Sequence, residues 1–166
     1  MYRFLTVAVI AAVLTVPAFA APPASDNEAL CQRFYNEVMD QGKLATIDEL
    51  VAPNFVEHQP FPGIPTNRDG LTQFVTMMRT AFPDLKCTVN FMMQDGDKVA
   101  VYGTMSGTQN GEFMGVPASG KKFSVDCVDI VRIVNKQAVE HWGVMDSGVM
   151  MQQLGIPAPV PAPKGK

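Results

Sequence analysis

Two periodicities divide the chain. Up to Phe82 apolar residues return every three to four positions, and from Leu85 to Met145 they alternate. Ser25-Asp-Asn-Glu28 is a capping box that opens a helix running to about Gln41, where Gly42 ends it. Leu30, Phe34 and Val38 fall at i, i+4 and i+8, with Cys31 and Tyr35 alongside, so one face is buried. Thr46-Ile-Asp-Glu49 reads as a second capping box, starting a short helix stopped by Pro53. The segment Asn54–Pro60 carries His58 into an irregular loop stiffened by Pro60, Pro62 and Pro65. Asn67 can cap a third helix to about Phe82, with Leu71, Phe74, Val75, Met78 and Phe82 as its stripe.

In the second half Leu85, Cys87, Val89, Phe91 and Met93 alternate with Lys86, Thr88 and Asn90. Asp95-Gly96 turns the chain into Lys98–Thr108, and a glycine-punctuated loop spans Gly107 to Lys122. A long strand, Phe123–Val134, turns at Asn135-Lys136 into a last strand, Gln137–Asp146. Ser147–Leu154 is a short closing helix ended by Gly155. Three helices followed by an antiparallel meander make an α+β arrangement, and one curved sheet wrapped around helices would enclose a pocket. On Phe123–Val134, Val125, Cys127, Asp129, Val131 and Ile133 share a face. Val128 and Ile130 fall on the other, where they suit either edge packing or the interface of a homodimer.

The ends read differently. Met1-Tyr-Arg3, an apolar run from Phe4 to Val16 and Ala18-Phe-Ala20 form a secretory signal peptide over residues 1–20, cleaved after Ala20. The expected product is exported, to the periplasm or beyond, with no membrane span in the mature chain. A single domain, 21–155, precedes an extended proline-rich tail, 156–166. Without Arg3 the 13 basic residues become 12 against 16 acidic ones, a net charge near −4. No basic patch is visible, which argues against a nucleic-acid partner. Cys31, Cys87 and Cys127 are an odd number and read as buried free thiols, and no Cys/His spacing resembles a metal site.

The chemistry gathers in Gln137–Asp146, which holds His141, the lone Trp142 and a terminal Asp146. In a regular strand Ala138, Glu140, Trp142, Val144 and Asp146 point one way, and Val139, His141, Gly143 and Met145 the other; a bulge at Gly143 would break that parity. Asp146 is then either a desolvated proton shuttle or a strand-end cap for the next turn. On the same parity His141 is structural. Asp129, set among Val125, Cys127, Val131 and Ile133, either lines the pocket or pairs with a buried donor.

The ordered set YNEV, LVAPNFVEH, GLTQFVTMMRTAFPDL, GEFMGVPASGKK, DIVRI and EHWGVMD…QQLG resembles the SnoaL-like polyketide cyclases of the nuclear transport factor 2-like superfamily. The resemblance covers nearly all of residues 28–155. It implies an α+β cone with one deep pocket, and an aspartate acting as acid and base in an intramolecular aldol closure without metal or cofactor. Asp146 matches that aspartate, and His58, in FVEH, matches a pocket histidine; the other reading of His58 is a helix-terminal histidine satisfied by backbone. Trp142, Phe113 and Met114 are implied pocket or lid contacts, or else ordinary core. Tyr35 corresponds to the first-helix tyrosine with which related ketosteroid isomerases stabilise an enolate, although the rest of that set is not recognisable. The expected site is therefore Asp146 and His58 as catalytic groups, with Trp142, Asp129, Tyr35, Phe113 and Met114 around a small apolar molecule. Two functions fit: an exported acid/base enzyme on a small carbonyl compound (cyclase, isomerase or ester-cleaving), or an exported binding protein without chemistry.

Overall fold

Both halves of the capping box at Ser25 form: its hydroxyl accepts from the Glu28 amide, and Glu28 accepts from the Ser25 amide. The computed structural model describes residues 25–157, so the expected leader and all of the tail but Ile156 and Pro157 lie outside the described residues. Helix α1 (Asp26–Arg33) continues without a break into a π-helical stretch, Phe34–Asp40. Cys31, Tyr35, Val38 and Met39 face inward along this rod. It ends at Gly42, whose φ of +68° suits glycine. There the Arg79 guanidinium donates to the carbonyls of Met39 and Asp40.

Helix α2 (Thr46–Leu50) is capped at Ala45 without a side-chain bond, so the second capping box does not form. Thr46 instead sits at the first helical position, with its hydroxyl 3.4 Å from Glu37. The chain then enters a strand that the sequence had suggested only as a stop: β1 (Val51–Glu57). Pro53 is tolerated because β1 is an edge strand and its pairing is interrupted between Val51 and Val56. Helix α3 (Arg68–Ala81) starts at Asn67, whose side chain accepts from the Gly70 amide.

Four antiparallel strands follow: β2 (Lys86–Asp95), β3 (Lys98–Thr108), β4 (Lys122–Val134) and β5 (Gln137–Met145). The sheet order is β1-β5-β4-β3-β2, with β1 parallel to β5. The expected meander is thus present, but the sheet is mixed: the overlooked strand completes it beside its last member. The sheet is curved and open, and with the helices it makes the α+β cone. Val38, Val75, Met78, Ala81, Phe82 and Val99 are fully buried between them. Helix α4 (Ser147–Leu154) closes against β4, and Ile156 beyond it is still buried.

Two bulges set the facing of side chains. Asn90 has no partner between Val89↔Gly103 and Phe91↔Tyr102, and Val139 has none between Ile133↔Ala138 and Arg132↔Glu140. Each extra residue reverses the alternation beyond it. Phe91 and Met93 are thereby turned outward instead of into the core, and are 51% and 61% exposed.

Candidate functional site

One face of the sheet and the helical layer enclose a cavity of about 450 Å³. Its wall is almost wholly apolar, with Phe34, Leu50, Phe55, Phe74, Met105 and Val131 among the lining. The charged residues that reach it are Glu57, Asp129 and His141, and no lysine or arginine does.

These three form one chain of contacts with Tyr35. Tyr35, at the start of the π-helical stretch, donates its hydroxyl to Asp129 Oδ2 at 2.6 Å. Asp129, on the inward face of β4, meets His141 Nε2 through its other oxygen at 3.1 Å. His141 Nδ1 contacts Glu57 Oε2 at 2.5 Å. The remaining Glu57 oxygen accepts from the backbone amide of Gln59 at 2.8 Å. Both readings of Asp129 therefore coincide, since it lines the cavity and also pairs with a buried donor. The parallel register places Glu57 against His141, and the antiparallel one places Asp129 against Gly143.

Burial opposes protonation of His141. The hydrogen bonds to Asp129 and Glu57 and their charges more than offset it, raising the imidazole pKa to about 9. At neutral pH the ring is an imidazolium donating from both nitrogens, so neither is left to accept a proton. Burial first, and then the nearby Asp129 charge, push the Tyr35 hydroxyl well above its usual value, so it remains a neutral donor. The same two causes raise Cys31 and Cys127, both on the cavity wall, to about 12, which leaves them as thiols without nucleophilic character. The three cysteines are free and buried. Among the described residues no group of three or more His, Cys, Asp or Glu side chains is arranged to hold a metal ion.

The expected site residues separate. Tyr35, Asp129 and Met114 line the cavity; Asp146, His58, Trp142 and Phe113 do not. Asp146 is exposed as the N-cap of α4, its carboxylate accepting from the Val149 amide at 3.0 Å. That is the capping alternative of the sequence. His58 and Trp142 lie on the opposite face of the sheet, stacked with ring centroids 4.4 Å apart, and His58 Nε2 is 3.0 Å from Glu140. The Val139 bulge is the reason: Ala138 faces the core, but beyond the extra residue His141, Gly143 and Met145 face inward while Glu140 and Trp142 face outward. Phe113 is core, 1% exposed and packed edge-on against Phe82 at 5.1 Å.

Glu57 and His141 are the members that sequence reasoning missed. A signal existed in the acidic residue beside His58 and in the glycine two positions after His141. A Cβ on Gly143 would lie 2.7 Å from His141 Cε1 and 2.9 Å from Asp129 Oδ1. The glycine is what leaves room for the pair.

Residues 29–154 match the family model for SnoaL-like polyketide cyclase. The chain belongs to that family. It is 26% identical over 120 residues to the nogalonic acid methyl ester cyclase of Streptomyces nogalater, covering 71% of this chain and 90% of that one. Among solved structures, IdmH from Streptomyces antibioticus, a putative polyketide cyclase, is 34% identical with a TM-score of 0.69, over 78% of this chain and 99% of that one. TsrD from Streptomyces laurentii is 27% identical with a TM-score of 0.73, over 82% and 100% of the two chains. The fold is thus shared by this SnoaL-like chain along almost the whole length of each.

The raised pKa of His141 has a consequence for stability. A group protonated more readily in the folded than in the unfolded chain contributes stability that is full below its unfolded value near 6.5 and is lost as pH rises through about 9. Titration of the His141 ring by NMR should give a midpoint near 9, and Gly143→Ala, which separates the ring from Asp129, should bring it down toward 6.5. An unshifted midpoint in the parent chain, or one that the substitution does not move, would refute the ion-pair account.

Proposed function

We propose that this SnoaL-like chain is an exported enzyme that uses Asp129 as acid and base on a small, uncharged, apolar carbonyl compound, with no cofactor. The observation that carries the reading is the Tyr35–Asp129–His141 contact inside a cavity that is otherwise apolar. Membership of the family supports a cofactor-free, cyclase-type function. Two carboxyl groups and one imidazolium give the cavity a formal charge of −1, and no cation on its wall offsets it. A free carboxylate or phosphate would be repelled, whereas a neutral ketone or ester would not.

The chemistry follows from the donors. Asp129 takes a proton from a carbon alpha to a carbonyl; the C–H pair moves onto the carbonyl oxygen as an enolate, and an O–H bond forms on Asp129. The negative charge has passed from Asp129 to the substrate, while the His141 imidazolium stays in place to attract it. Once Asp129 is neutral, the Tyr35 hydroxyl is released from its charge-assisted bond and can donate to the enolate oxygen. Attack of the enolate carbon on a second carbonyl of the same molecule closes a ring, and the protonated Asp129 returns its proton to the new alkoxide. Reprotonation at carbon instead would give an isomerase from the same groups.

Exchange of alpha protons for deuterium in an uncharged 1,3-dicarbonyl compound, followed by NMR, tests this directly. The parent chain should accelerate exchange, Asp129→Asn should slow it by about two to four orders of magnitude, and Asp146→Asn should leave it unchanged. Loss in the Asp146 variant alone would return the base to the helix cap. Exchange no faster than in buffer by a protein that still binds the compound would leave only the binding-protein reading.

Assembly belongs to the same proposal. Phe91, Tyr102, Val128 and Val144 form one row across the outer face of four strands, and Met93, Ala100, Ile130 and Trp142 form the next. Most of these are exposed and apolar, with Arg132, Glu140 and Asp126 at the borders. A second copy on this face would bury both rows in a two-fold dimer. Sedimentation at tens of micromolar should show that dimer and Ile130→Lys should break it, while a parent chain that stays monomeric would exclude it. Export should leave Ala21 as the N-terminal residue, and an intact mass retaining residues 1–20 in exported protein would disprove processing.

A further inference from the structure

Met114 occupies backbone space that methionine rarely enters. Its φ is +52°, and Gly115 next to it is at +77°. The two are the central residues of a tight turn closed by paired backbone bonds, Phe113 N–H to Val116 O at 3.0 Å and Val116 N–H to Phe113 O at 2.9 Å. Such a turn takes asparagine and glycine readily at its centre, and a long side chain at the first position is strained. The other described non-glycine residues at positive φ, Asn135 and Lys136, make the β4–β5 turn, where the leading residue is an asparagine.

The turn is held from both sides. Phe113 is fixed among Phe61 and Phe82. Gln109, wholly buried, donates its amide to the carbonyls of Val116 and Pro117 and accepts from Ser119, so the loop is clamped beneath the tip. From this support the Met114 side chain reaches the cavity that holds Tyr35 and Asp129, while remaining 44% exposed. It therefore stands at the mouth. Backbone strain at a cavity rim, over-determined by its surroundings, is where function retains an unfavourable residue.

We propose that Met114 is a specificity-determining residue: a fixed apolar sill whose thioether contacts the entering ligand, and whose backbone strain persists because of that contact. A flexible, polarisable side chain suits an apolar ligand that must pass before its carbonyl meets Asp129. The inference rests on reading the cavity as the ligand site, but not on any chemistry there. The test uses the uncharged fluorescent probe N-phenyl-1-naphthylamine and the thermal midpoint of unfolding. Met114→Asn should raise the midpoint by relieving the turn and weaken probe binding by about three- to tenfold, the scale of a partly buried apolar contact. Met114→Leu, which keeps both bulk and strain, should bind the probe within about twofold of the parent chain. Unchanged affinity in the asparagine variant would overturn the assignment, as would a lowered midpoint. Neither result bears on the Asp129 exchange experiment, whose failure would remove the chemistry and leave the sill in place.

Discussion

The site depends on one histidine held between two carboxylates from different strands. Three local features bring the ring to Glu57 and Asp129. The parallel edge strand β1 supplies Glu57 in register with His141, the Val139 bulge turns His141 inward, and Gly143 leaves the space through which Nε2 reaches Asp129. None of the three is a strong feature alone: β1 is broken by a proline, the bulge forfeits ladder pairing, and a glycine weakens a strand. Their common product is a cation fixed in an apolar cavity.

That cation decides the roles around it. An imidazole with an ordinary pKa would be the natural base, with Glu57 orienting it. Held protonated up to about pH 9, it is instead a stationary positive charge, which is why the proposed proton acceptor is Asp129. Breaking a buried pair by removing one partner leaves the other uncompensated, so the contacts are interdependent. Tyr35 is part of the same balance. Its hydroxyl satisfies the Asp129 oxygen that His141 does not reach. The π-helical stretch that begins beside it is the kind of local helical irregularity that recurs at functional sites.

Much of the fold was legible because helical and strand periods change cleanly at Pro83, and the caps at Ser25 and Asn67 form as read. The inward face of β4 was legible too, since its pairing with β3 has no irregularity and Asp129 keeps the phase of its apolar neighbours. What failed was phase elsewhere. Asn90 and Val139 carry no signature of a bulge, whereas Gly143, whose residue type suggests one, serves space and not pairing. β1 was hidden by Pro53, which reads as a stop unless the strand is known to be an edge. The expectation for Asp146 rested on its place in a family motif, whereas its carboxylate is engaged at the start of α4.

β5 has to serve two surfaces, and the bulge assigns its residues between them. Were Val139 to pair with Arg132 in a regular ladder, Glu140 and Trp142 would take the inward positions and His141 the outward ones. The indole would then sit opposite Asp129, and the imidazole opposite Ile130 on the outer face. As built, the imidazole goes to the cavity as a fixed cation, and the large aromatic goes outward, stacked on His58 in the apolar rows. Glu140 follows Trp142 outward, where Arg132 donates to it at 3.0 Å through Nε and His58 approaches its other oxygen. The outer carboxylate is thus engaged by Arg132 and His58 and stays out of the cavity. The inner one, Asp129, keeps a single cation that it shares with Glu57.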